Sequence, residues 1–247
     1  MFKQIFLFEL KYRMSRPATW AYFGILFLFG FLTAIYGSVP VSEKTFANSP
    51  YSIANMLTIV SLFGMLIASA VMGVPVHRDI EHGVKDYLFS YPVTEKGYIG
   101  GRFLGSLLVL FLISLGLQLG MMLGFGLGPV AGLEEAERFG PFAFSYYLHP
   151  TLLLYWPNLL FTGTIFFALV ALTRKVMTTY VGSILLFIAY LLANTLVSDL
   201  EMRDLVDILD PFALNTLSNA TRYWTTVEQN TVRVPRGGSR SPAARAQ

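Results

Sequence analysis

Ile53-Ala54-Asn55-Met56-Leu57-Thr58-Ile59-Val60-Ser61-Leu62-Phe63-Gly64-Met65-Leu66-Ile67-Ala68-Ser69-Ala70-Val71-Met72-Gly73-Val74 contains no Asp, Glu, Lys or Arg. It lies within a longer uncharged run, Thr45–Val76. A helix crosses the hydrocarbon of a bilayer with about 20 apolar residues. Four further runs are equally free of charge: Pro17–Ser42, Phe103–Leu133, Phe139–Thr173 and Val176–Ser198. The spacing predicts five spans, over about Ala18–Gly37, Ile53–Val74, Phe103–Leu127, Leu152–Leu172 and Met177–Val197. The fold class expected is therefore all-α, a polytopic helical membrane protein with about five transmembrane helices.

Composition agrees. The 247 residues are 54% hydrophobic and 13% charged, against about 25% charged in soluble domains. With no cysteine, disulfides and thiolate chemistry are excluded. The first span is too long and aromatic for a cleavable signal core of about 7–15 residues, so it reads as retained.

Lys and Arg set the orientation. The amino terminus, the His77–Arg102 stretch and the Arg174-Lys175 turn hold Lys3, Lys11, Arg13, Arg16, Arg78, Lys85, Lys96, Arg102, Arg174 and Lys175; the two opposite loops hold Lys44 and Arg138. This bias puts the amino terminus in the cytoplasm. Residues 1–16 read either as a helix on the membrane surface or as a basic flank that only orients the chain. Their amphipathicity is imperfect, because Glu9 and Arg13 fall near the Phe2–Phe6 face. The membrane domain covers 17–198, with a cytoplasmic loop over 77–102. Residues 199–230 read as an external or interfacial segment. From 231 the chain is rich in Arg, Pro, Gly, Ser and Ala and cannot bury enough apolar surface to fold.

Little here points to catalysis. There is no Gly-x-x-x-x-Gly-Lys-Ser/Thr phosphate loop and no His-Glu-x-x-His. His77 and His82 are five apart, without a third ligand nearby, which does not make a metal site. The spans carry no ionisable residue, which argues against a proton-coupled carrier, a voltage sensor or an intramembrane enzyme. Their polar residues, Asn55, Ser61, Gln118, Asn158, Thr162, Thr164 and Asn194, suit hydrogen bonds between helices better than substrate contact. Gly116, Gly120, Gly124, Gly126 and Gly128 in the third span read as sites of close helix packing.

The 77–102 stretch is the most informative. Charges come first, then a short apolar run, then Ser90-Tyr91-Pro92, where proline ends a helix at or before Tyr91. Such a segment either docks on a soluble partner or is a solvated loop. It resembles the cytoplasmic signature of type 2 ATP-binding cassette (ABC) transporter permeases, through Asp79, Glu81, Gly83, Asp86, Ser90, Pro92, Val93, Thr94, Gly101 and Arg102. The resemblance implies an exporter-like transmembrane domain whose amino-terminal segment is a connecting helix. The loop would be a coupling helix touching a separate ATPase through Asp79, Glu81, Gly83, Asp86, Tyr87, Ser90, Tyr91 and Pro92.

A closer likeness runs to about Thr231, through Phe2–Glu9, Gly73–His82, Phe166–Arg174 and Asp210–Asn215. It is to the start of large bacterial proteins, often from Bacteroidetes, in which a permease is fused to a zinc aminopeptidase-like domain. On that likeness the chain is an incomplete, amino-terminal fragment lacking a sixth span, and its basic tail departs from the pattern. The expected function is the permease part of an exporter in the bacterial inner membrane. ATP and magnesium would sit in the partner ATPase, with no cofactor in this chain. A second permease half and membrane lipid are the other partners, with no nucleic acid. The alternative is a membrane anchor for a peptidase, without transport of its own.

Overall fold

A computed structural model describes residues 2–37, 42, 44–83, 94–132, 135–196 and 210–232. Every regular element among them is helical. In chain order these are α1 (Phe2–Met14), α2 (Pro17–Ile35), α3 (Pro50–Glu81), α4 (Glu95–Ala131), α5 (Phe144–Thr173), α6 (Met177–Leu196), α7 (Leu214–Thr221) and α8 (Thr226–Thr231). A short 3₁₀ turn, Ala136–Arg138, precedes α5.

Four helices, α2 to α5, are long and apolar enough to cross a membrane. They cover the first four expected spans, except that α2 stops at Ile35, short of the expected Gly37. The fifth expected span is α6, whose apolar part, Met177–Leu192, is shorter than these.

The helix starts follow local chemistry. Proline occupies the first position of α2 and α3, where a helix has no use for the missing N–H. Ser49 caps α3 by accepting from the Ser52 amide at 3.1 Å. Thr94 caps α4, accepting from the Gly97 amide at 3.3 Å, and Glu95 places an acid in the first turn. Within α5 a π-helical turn, Thr151–Tyr155, lies between Pro150 and Pro157, where two backbone donors are missing from the ladder.

The stretch read as a loop, 77–102, is largely helical where it is described. α3 has 32 residues and α4 has 37, so at about 1.5 Å per residue both are much longer than a hydrocarbon core of about 30 Å. α3 continues past Pro75 to Glu81 and stops at Gly83, which takes the left-handed conformation (φ +62°) common just beyond helix ends. α4 begins before Arg102, at the Thr94 cap. Residues 84–93, with the proposed helix stop at Tyr91, lie outside the described residues.

The chain divides into two compact units. The second comprises Ile25–Leu62, Leu115–Asn158 and Asn194–Gln247. In it, Gly120 and Gly124 press directly on α2. A Cβ at Gly124 would stand 2.6 Å from the Ala34 Cβ and from the Phe31 carbonyl oxygen, and one at Gly120 would run into the Phe27 carbonyl. Gly128 meets the Phe139 ring, whereas Gly126 faces open space. Two of the span amides join elements: Asn158 donates to Ser61 Oγ and to the Phe212 carbonyl, both at 3.0 Å, and Gln118 donates to Thr151 Oγ1 at 3.0 Å. Thr162 and Thr164 each donate to a carbonyl of their own helix.

Residues 210–232 belong to this unit's fold. Phe212 is fully buried, and Leu217 packs with Ala54 and Leu154. Asp210 accepts from the amides of Asn215 and Thr216 and so caps α7. α8 opens on a capping box between Thr225 and Glu228. It then ties to the segment before α3: Thr45 donates to Gln229 at 2.7 Å and the Phe46 amide to Asn230 at 2.8 Å. That segment in turn exchanges two 2.7 Å bonds between Asn48 and Gly140.

Candidate functional site

The first unit, Met1–Gly24, Phe63–Ser114 and Leu159–Ala193, holds the most concentrated polar chemistry. α1 lies against the start of α4 over Gly97, Gly101 and Gly105, spaced four apart on one face. A Cβ at Gly101 would be 3.0 Å from the Ile5 Cβ, and one at Gly105 would be 2.9 Å from the Glu9 Cβ. Small residues at this spacing let two helix backbones approach closely.

That approach buries Glu9 completely. Its Oε1 accepts from Arg13 Nε at 2.7 Å. Its Oε2 accepts from Arg78 at 2.9 Å and from Arg102. Arg102 also pairs with Asp79 Oδ2 at 2.6 Å, and the Tyr98 hydroxyl donates to the same oxygen at 2.6 Å. One connected network thus joins α1 (Glu9, Arg13), α3 (Arg78, Asp79) and α4 (Tyr98, Arg102). Three guanidiniums against two carboxylates leave an excess positive charge. The Tyr12 ring attracts one of these cations and a fourth outside the network: the Arg78 guanidinium lies 4.0 Å and that of Arg16 4.4 Å from its centre. Arg78 NH1 and Arg102 Nε are buried without a hydrogen-bond partner among the described residues.

Burial alone would raise the Glu9 pKa. Arg13, Arg78 and Arg102 together outweigh it and hold the carboxyl below its ordinary range. The α1–α2 corner is also fastened, since Thr19 donates to the Arg13 carbonyl at 2.7 Å and Trp20 to that of Met14 at 2.9 Å. These satisfy two of the carbonyls a helix end leaves open.

α1 is therefore inverted relative to a soluble helix. Its buried residues are Glu9 and Arg13, while Phe2, Leu7 and Phe8 are exposed. This is the reason its amphipathicity reads as imperfect. In lipid, apolar side chains face outward and charges pair inward.

The residues expected to touch an ATPase separate into three groups. Asp79 is buried and its carboxylate is engaged by Arg102 and Tyr98. Glu81 and Gly83 are exposed on the last turn of α3 and just beyond it, with Glu81 3.7 Å from His77. Asp86, Tyr87, Ser90, Tyr91 and Pro92 lie outside the described residues. Sequence reasoning missed the organising role of Glu9, Tyr98, Gly97 and Gly105. The available signals were the four-residue spacing of Glu9 and Arg13 and the Gly97, Gly101, Gly105 repeat.

Chemically, the network fixes positions. Among the described residues no group of three or more His, Cys, Asp or Glu stands together as a metal site. No family model, curated protein or solved structure matches this chain.

Proposed function

We propose that this chain is the membrane-spanning permease part of an ABC exporter of the type 2 class, in the bacterial inner membrane with its amino terminus in the cytoplasm. A separate ATPase would supply ATP and magnesium, and a second permease half would complete the pathway. The observation that carries this reading is the network of Glu9, Arg78, Asp79 and Arg102. It joins α1 to the two helices that lead into and out of residues 84–93. A loop that receives force from an ATPase needs a stiff base, and buried, mutually paired charges supply one.

Chain parity supports five crossings. Phe46 and Thr45, before α3, are hydrogen-bonded to α8, so both lie on one side of the membrane. Between them stand α3, α4 and α5. Three crossings would leave the two partners on opposite sides, and a fourth by α6 would bring them together. Among the described residues α6 is the remaining apolar helix, and its 20 residues measure about 30 Å at about 1.5 Å per residue.

The test is affinity purification of the full chain from its native membrane. Copurification of an ATPase bearing a Gly-x-x-x-x-Gly-Lys-Ser/Thr loop is expected, with its yield reduced by Glu81→Lys. A chain that purifies without any such ATPase overturns the reading.

A further inference from the structure

Pro75 lies inside α3. It supplies no N–H to the carbonyl four residues back and crowds that carbonyl with its ring. The carbonyl is that of Val71. Left unpaired away from water, it costs as much as a lost hydrogen bond. Its oxygen is not left unpaired: Arg13 of α1 donates to it at 2.7 Å. Arg13 is held from behind by Glu9 at 2.7 Å, and Glu9 also holds Arg78 at 2.9 Å. Arg78 belongs to α3 but lies beyond the proline. α1 therefore grips α3 on both sides of its break, through Arg13 at Val71 and through Glu9 at Arg78.

We propose that Val71–Pro75 is a hinge in α3, and that Arg13 and Glu9 are positioning residues that clamp it. The clamp fixes the direction in which residues 76–81 leave the break and so the base from which the chain enters residues 84–93. Arg102 and Asp79 extend the grip to α4. Only the consequence for transport rests on the permease reading; the clamp stands on the geometry of this chain alone.

The absence of cysteine allows a clean test on the full chain in lipid nanodiscs. A nitroxide on His82→Cys reports the last turn of α3, and one on Met177→Cys, an exposed position, serves as control. Arg13→Gln should raise the mobile fraction at position 82 about tenfold, the ratio matching the lower end of one hydrogen bond from a charged donor, with no change at 177. Pro75→Ala returns the missing donor to Val71, so adding it to Arg13→Gln should reverse that gain. Unchanged mobility at 82, or a gain that Pro75→Ala does not reverse, overturns the proposal. If Arg13→Gln does not fold, Pro75→Ala alone decides. Amide exchange over 76–81 should slow roughly fivefold as the ladder closes, and unchanged exchange rejects the hinge. No ATPase is needed for either measurement, so failure here is distinct from failure of the copurification.

Discussion

Glu9 accepts from three guanidiniums at once while wholly removed from solvent. Its neutralisation would leave two buried guanidiniums, Arg13 and Arg102, and the half-buried one of Arg78 with one remaining carboxylate, Asp79, to share. Removing one partner of a buried ionic network costs about 3–5 kcal/mol, and Glu9→Gln should lower the unfolding free energy in detergent by that amount at neutral pH. The folded pKa lies below the unfolded one, which is about 4.3 for Glu. The stabilisation is therefore complete above that value and is lost as pH falls through the lower folded value. A titration of stability from neutral to acid pH should show this loss in the parent and a flatter acid limb in Glu9→Gln. Asn158 acts at the same scale. Asn158→Leu removes the buried hydrogen bonds to Ser61 Oγ and to the Phe212 carbonyl and should cost about 1–3 kcal/mol, read as a lower unfolding midpoint. The Asn158 role was legible in advance, because an amide in a span has few options beyond another helix. That Glu9 and Arg13 form the buried face of α1 was not, because their partners Arg78 and Arg102 lie far along the chain.

At the scale of elements, helix contact is decided by which glycines face a neighbour. Gly105 and Gly126 both lie in α4, yet a Cβ at one would meet the Glu9 Cβ at 2.9 Å and a Cβ at the other would meet no described residue within 4 Å. Alanine is favoured over glycine in a helix by about 1 kcal/mol, so Gly126→Ala should raise stability slightly. Gly105→Ala should instead lower it by about 1–3 kcal/mol, through overpacking against α1. Thermal unfolding of the two variants in one detergent distinguishes them. Composition and spacing marked Gly120 and Gly124 as packing positions, and both press on α2. The same spacing at Gly97, Gly101 and Gly105 marks the seat of α1. The helical run through 77–81 was hidden because Pro75 and a cluster of charges both signal an end. Arg13 at Val71 and the pairing of Arg78 and Asp79 remove those two objections.

For the whole molecule, the decisive bonds are those from α8 to residues 44–46. They place the segment after α6 beside the segment before α3. Single cysteines at Val227 and Glu137, both exposed, should react with an impermeant thiol reagent from the same side of sealed membranes. One at Lys11 should react only from the other side. Labelling of Val227→Cys and Lys11→Cys from one side would remove the five-crossing topology.

The membrane class followed from the sequence alone, because the transfer free energy of a run such as Thr45–Val76 adds up along contiguous residues and needs no partner. The close packing of Gly120 and Gly124, though not of Gly126, and the hydrogen bonds of Gln118 and Asn158 followed for a related reason, since hydrocarbon leaves such groups few alternatives. What the folded chain decided was which charges neutralise one another. Glu9, Arg78 and Arg102 are separated by dozens of residues, and their pairing depends on the register of three helices. Register is a property of packing in three dimensions, and no periodicity within one segment encodes it.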